Sequence, residues 1–283
     1  MEVVLAWLPL NEIAAINPAE LMMTLIIGGL IGLVLGMTGV GGGVLIIPLL
    51  RTVFQMNPVL AVGTASICAS LMKVNAAAIH IKMGNVNWKQ SALMLAGAVP
   101  ATYLTTSFIV RLSQNPDTSS MVELAVDLMI FAAIGFSLAA MVYKDLKPAG
   151  RQQAAQAEST KEPSGDWRPV LAGAGSGVVI GATGVGGGVL LLPILTVLLR
   201  VNIKQAVGSS IVIALLLSSL SALTYSGGGQ ADMTTAVVLI AGSLIGVPVA
   251  GKVMKFISDR ALHRVTLALI TLSACMMLSS SLS

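Results

Sequence analysis

Six long apolar stretches separated by short polar ones run through the chain, at residues 59–81, 92–110, 124–142, 205–225, 234–253 and 261–282. Each approaches or exceeds the roughly 20 residues with which a helix crosses about 30 Å of hydrocarbon. The pattern therefore predicts membrane-spanning helices. Two shorter apolar pieces, 44–56 and 189–201, do not fit it. Thirteen residues at about 1.5 Å each reach roughly 20 Å, too little to cross alone. Each follows a cluster of five glycines: GMTGVGGGVLIIP at 36–48 and GATGVGGGVLLLP at 181–193.

The two clusters lie 145 residues apart, and the same ungapped offset aligns more of the chain. NPVLAVGTAS at 57–66 falls on NIKQAVGSSI at 202–211, Gly97 on Gly242, and Gly28, Gly32 and Gly36 on Gly173, Gly177 and Gly181. The chain reads as a tandem duplication, with a first transmembrane repeat at 1–143 and a second at 169–283. The polar joint at 144–168 carries five basic and four acidic residues.

Two topologies suit each repeat. The short pieces around a glycine cluster form either one broken span or a hairpin that enters and returns on the same side. The hairpin arrangement puts thirteen Lys and Arg residues on one side and only Arg51 and Arg111 on the other. The broken-span arrangement divides the same residues seven against eight. Cytoplasmic loops are rich in Lys and Arg, so the hairpin is preferred. The second repeat is then inverted relative to the first, both termini lie outside, and the 144–168 joint is cytoplasmic. Inverted repeats are a recurrent design of transporters that alternate access around a central site. The expected fold is an all-α polytopic membrane protein of two inverted-topology repeats, each a Gly-broken re-entrant half-helix hairpin followed by three spans.

Composition agrees: 55% of residues are hydrophobic and 10% charged, against about 25% charged in soluble domains. The net charge of +4 suits basic cytoplasmic loops, and no nucleic-acid partner is expected. No Lys or Arg precedes Arg51, so no cleaved secretory leader is expected. Cys68 and Cys275 both fall in apolar stretches and are expected to be core residues. No lysine follows the glycines as a nucleotide loop requires, and no metal-ligand cluster or Ser/His/Asp set is legible. No cofactor, metal or enzymatic activity is expected.

In hydrocarbon every backbone polar group needs a partner, so a glycine-rich break inside a span implies a surrounding of protein or a watery cavity. The helix that starts after the break presents free N–H groups and partial positive charge, an environment suited to an anion. The candidate ligands are Thr38, Gly39, Gly41, Gly42 and Gly43 in the first half and Thr183, Gly184, Gly186, Gly187 and Gly188 in the second. The glycines upstream, spaced four apart, read instead as close-packing surfaces. Thr64, Ser66, Ser209 and Ser210 supply hydroxyls that either orient the anion or satisfy helix backbone. Lys73 is the basic residue deepest in an expected span, nine positions before Lys82, and charges there usually mark a pathway. It either raises the local positive potential or snorkels, and its counterpart in the second half is Ser218. His80 reads as interfacial, and Asp127, about one turn into its stretch, as facing the headgroups.

The doubled TGVGGGVLIIPLL and TGVGGGVLLLPIL, each followed by AVGT or AVGS, resemble the TauE/SafE family of sulfite exporters over roughly residues 21–282. The resemblance implies a transporter of the bacterial inner (plasma) membrane for small anions, typically sulfur oxyanions, sulfonates or related carboxylates. The partners implied are the anion, the lipid bilayer and a coupling ion, proton or sodium; nothing in the chain specifies an oligomeric state. An anion-selective channel, a small-carboxylate transporter and a membrane receptor are the alternatives.

Overall fold

The computed structural model describes residues 17–38, 43–146, 167–184 and 190–253, together with 264, 268, 271–272 and 275–276. The described elements are helical. In chain order they are α1 (Pro18–Thr38), α2 (Gly43–Thr52), α3 (Pro58–Lys82), α4 (Trp88–Ser113), α5 (Pro116–Leu146), α6 (Arg168–Thr183), a single turn α7 (Leu191–Pro193) that continues as a π-helix over Ile194–Leu198, α8 (Ile203–Gly227) and α9 (Met233–Val253). Five of these, α3, α4, α5, α8 and α9, contain stretches long and apolar enough to cross a membrane. They match five of the six stretches read from the sequence. The sixth, 261–282, lies mostly outside the described residues, as do the termini and most of the 144–168 joint.

Local chemistry sets the helix starts. Asn57 caps α3 by accepting from the Leu60 N–H, with Pro58 in the first turn where its missing N–H costs nothing. Asn202, at the equivalent position, caps α8 through the Lys204 N–H. Asn87 accepts from the Gln90 N–H and Asp232 from the Thr235 N–H, again equivalent positions, at the starts of α4 and α9. The residues two before the Asn57 and Asn202 caps, Gln55 and Arg200, both take left-handed backbone, with φ of 50° and 52°.

The main packing crosses between the halves: α1 lies on α9, α6 on α4, and α3 on α8. The contacts come in pairs displaced by 145 residues. A Cβ at Gly28 would strike the Leu239 carbonyl, and one at Gly173 the Met94 carbonyl. Gly32 meets Ser243 as Gly177 meets Ala98, and Gly63 meets Gln230 as Gly208 meets Asn85. The glycines four apart are therefore close-packing surfaces, as their spacing predicts. Backbone approaches backbone without an intervening side chain, which gains dispersion contact where lipid offers no hydrophobic drive.

Two expectations need correction. Cys68 is buried, but Cys275 is exposed and not a core residue. Asp127 does not lie near the start of its helix. That helix begins at Pro116, and the carboxylate, about 16 Å along it, is paired with Arg51.

Candidate functional site

α6 runs for sixteen residues from Arg168 to Thr183, about 24 Å, less than the roughly 30 Å of a hydrocarbon core. Gly184 ends it in left-handed backbone at φ 59°, its N–H donating to the Ile180 carbonyl at 2.9 Å. This is an αL cap, which a side chain would strain. The space beside it is also taken. A Cβ at Gly184 would lie 3.1 Å from the Val62 carbonyl oxygen and 3.2 Å from Ser66 Oγ. The break of the second half thus sits directly against α3 of the first half, at Ser66.

Three further bonds fix this corner. The Tyr225 hydroxyl on α8 donates to the Gly181 carbonyl at 2.8 Å, with its ring fully buried. Thr102 on α4 donates to the Gly177 carbonyl at 3.0 Å. Thr183, buried at the last position of α6, donates to the Val179 carbonyl at 2.6 Å. The structure therefore brings Thr183, Gly184 and Ser66 together. Gly186, Gly187 and Gly188 lie outside the described residues.

On the first-half side, Gly43 is buried and opens α2. Gly39, Gly41 and Gly42 lie outside the described residues, as does the side chain of Thr38, whose backbone ends α1. The two short helices differ. α2 is a ten-residue α-helix that buries Ile46, Ile47 and Leu50 completely. Its counterpart turns once as α-helix and then widens to a π-helix just after Pro193, which contributes no N–H. The dipole argument for an anion at a half-helix start thus has an α-helical run behind it in the first half only.

The predicted hydroxyls are engaged with backbone. Ser66 donates to the Val62 carbonyl at 2.8 Å and Ser210 to that of Val207 at 2.8 Å. Thr64 donates to the Leu60 carbonyl at 2.8 Å and accepts from the Asp232 N–H at 2.9 Å. Ser209 accepts from the Asn87 N–H at 2.9 Å, the equivalent bond in the other half. Thr64 and Ser209 therefore hold the starts of α9 and α4, and any anion contact by Thr64, Ser66 or Ser210 requires the hydroxyl to rotate off its carbonyl.

Lys73 Nζ donates to the Ala69 carbonyl at 3.1 Å, so its ammonium stays at the level of its own turn and does not reach along α3 towards Lys82. Its counterpart Ser218 is buried, and neither Ser218 Oγ nor Ser221 Oγ, one turn on, has a hydrogen-bond partner among the described residues.

The sequence reading missed one contact. Arg51 Nη2 donates to Asp127 Oδ2 at 2.6 Å, tying α2 to α5, and Nη1 donates to the Met56 carbonyl at 3.1 Å. The side chains of this ion pair are only 13% and 17% exposed. The available signal was Asp127 itself, an acid inside an apolar stretch that needs a cation.

Spans of this length, packed glycine to backbone around interrupted helices, define a multi-pass membrane protein. Comparison with known proteins specifies it further. The sulfite exporter TauE/SafE family model matches residues 24–277, so the chain belongs to the TauE/SafE family. It is 26% identical over 251 residues to the probable membrane transporter protein YjnA of Bacillus subtilis, covering 88% of this chain and 96% of that one. A probable membrane transporter protein of Haemophilus influenzae is 28% identical over 222 residues, covering 74% and 76%. The probable membrane transporter protein MJ0441 of Methanocaldococcus jannaschii is 25% identical over 196 residues, covering 68% and 67%. No solved structure matches the chain. The protein is a membrane transporter.

Proposed function

We propose that the chain carries a small anion across the inner membrane by alternating access, and that a sulfur oxyanion or sulfonate is its substrate. The observation that carries the reading is the junction of Gly184 with Ser66, where a broken helix of one half meets a hydroxyl of the other inside the protein. Unwound backbone at that depth is sustained only beside a cavity or within protein. Backbone N–H groups at a helix start suit the spread charge of an oxyanion. The anion is held at both glycine breaks, by Gly39, Gly41, Gly42 and Gly43 and by Gly184, Gly186, Gly187 and Gly188. Thr38, Thr183, Thr64, Ser66, Ser209 and Ser210 orient it, and Lys73 raises the local positive potential.

The inverted arrangement fits this mechanism. Contacts that recur at an offset of 145, with α1 on α9 matched by α6 on α4, are those expected of two halves exchanged by an approximate two-fold axis. In this reading the termini are outside, the 144–168 joint is cytoplasmic, and each hairpin is re-entrant. A membrane potential negative inside favours export of a monoanion by about 2.3 kcal/mol per 100 mV, so uptake requires a coupled cation.

The test is thermal stability of the purified protein with sulfite, sulfate, thiosulfate, methanesulfonate and small carboxylates, with and without sodium. A ligand that binds the folded state raises its melting temperature with concentration. A shift confined to sulfur oxyanions or sulfonates is expected, and its loss in Gly42→Ala and Gly187→Ala places the anion at the breaks. A shift confined to carboxylates reassigns the substrate, and no shift in folded protein refutes the site.

A further inference from the structure

A guanidinium offers five N–H donors in a planar fork, and a lasting Arg–carboxylate pair usually closes that fork with two parallel bonds. The Arg51–Asp127 pair does not. One bond joins Nη2 to Oδ2. Arg51 Nε and Asp127 Oδ1 are both buried and have no hydrogen-bond partner among the described residues. A part-buried pair that leaves two buried polar atoms unpartnered is a costly arrangement for a purely structural contact. Arg51 is also held independently of the carboxylate, because Nη1 bonds the Met56 carbonyl in the turn between α2 and α3. The two partners come from different helices, so a small separation of α2 from α5 opens the pair without moving the guanidinium from its anchor. The second half carries no copy: Thr196 and Leu272 stand at the equivalent positions, and Thr196 is bonded to its own helix.

We propose that Arg51 is an anion-binding residue on the α2–α3 side of the pathway, and that Asp127 is a protonatable stand-in which holds Arg51 when no anion does. This rests on the anion-transporter reading. A sulfonate or sulfur oxyanion presents three oxygens and spans Nη2–H and Nε–H together, closing the fork that Asp127 leaves open. Once displaced, Asp127 has no cation inside an apolar span, where an isolated carboxylate is strongly disfavoured, so it takes a proton. One anion and one proton therefore enter together, and the charge of the site is unchanged. The charges acting on Asp127 are Arg51 from α2 and Glu123 from its own helix. The other charged or titratable side chains of the helices packed on α5 are Lys73, His80 and Lys82 on α3, Lys89 and Arg111 on α4 and Arg168 on α6. The proton is then the coupling ion.

The experiment measures affinity of the full-length protein for methanesulfonate and sulfate, neither of which titrates between mildly acid and neutral pH. A subsite occupied by a competitor binds more weakly in proportion to the time it is free. Wild-type protein is expected to bind more tightly on acidification. Asp127→Asn is expected to bind about tenfold more tightly at neutral pH, as relief of a mostly occupied site predicts, and to lose the pH dependence. Arg51→Gln loses the gain and keeps only pH-independent binding at the breaks. Should Asp127→Asn fail to fold, Asp127→Glu keeps the charge with a longer reach to Nε and is expected to weaken binding. Wild-type binding that either substitution leaves unchanged, in affinity and pH dependence, overturns the proposal and leaves the anion-transporter reading standing. Absence of binding in both wild type and Asp127→Asn overturns the two together.

Discussion

At the scale of single residues, the bonds that shape the site are made by side chains the sequence shows to be polar in apolar surroundings. Tyr225 is the sharpest case. Its hydroxyl satisfies the carbonyl of Gly181, three residues before the αL cap that ends α6. Removing it leaves a buried acceptor unpaired, at a cost of about 1–3 kcal/mol. Tyr225→Phe is therefore expected to lower the melting temperature and to slow transport, because the end of α6 loses its anchor; unchanged stability and turnover would show that the bond is dispensable. A residue-level reading of the sequence found the glycines, Lys73 and the hydroxyls but not their partners. Thr64 and Ser209 look like ligands in AVGT and AVGS because hydroxyls at matched positions suit an anion equally well as a neighbouring helix start. Only the three-dimensional contact, with Asp232 and Asn87 on elements far along the chain, shows that both hydroxyls also hold a helix start. Arg51 escaped for the same reason, since its carboxylate is 76 residues away.

At the scale of elements, hydrophobic length was the reliable signal. Five apolar stretches became helices with ends within a few residues of expectation, because a helix that must satisfy its own backbone in hydrocarbon has little freedom in where it stops. α5 is the exception, reaching back to Pro116 through polar residues that length and hydropathy alone do not count. The contrast between α2 and its π-helical counterpart was also hidden, since IIPLL and LLPIL carry the same pattern. The close-packing glycines make a direct prediction. Gly173→Ala places a methyl group against the Met94 carbonyl and Gly28→Ala against that of Leu239, and overpacking of this kind costs about 1–3 kcal/mol. Gly135→Ala on α5 meets nothing within 4 Å and is expected to leave stability unchanged or slightly raised, as Ala is the better helix former. Melting of the three purified variants side by side checks this, and equal behaviour would mean that the α1–α9 and α4–α6 contacts are looser than described.

For the whole molecule, the offset of 145 links sequence to architecture. The contacts of Gly28, Gly32 and Gly63 recur at Gly173, Gly177 and Gly208, so duplication is visible both in the letters and in the packing. Orientation across the membrane rests on the distribution of Lys and Arg, and it is tested by accessibility. Gly227 is exposed and has open space for a side chain, unlike Gly228, where one would meet Val110. A cysteine at Gly227 is expected to react with an impermeant reagent from outside, and one at the exposed Met83 only from the cytoplasmic side. The reverse labelling would invert or dissolve the proposed topology. The central claim, carriage of an anion by alternating access, is tested most directly by counterflow in proteoliposomes. Vesicles loaded with unlabelled anion are diluted into a trace of the labelled anion chosen by the stability screen. The account predicts saturable uptake that depends on the anion inside, whereas flux that does not saturate and ignores the internal anion would contradict it and identify a channel.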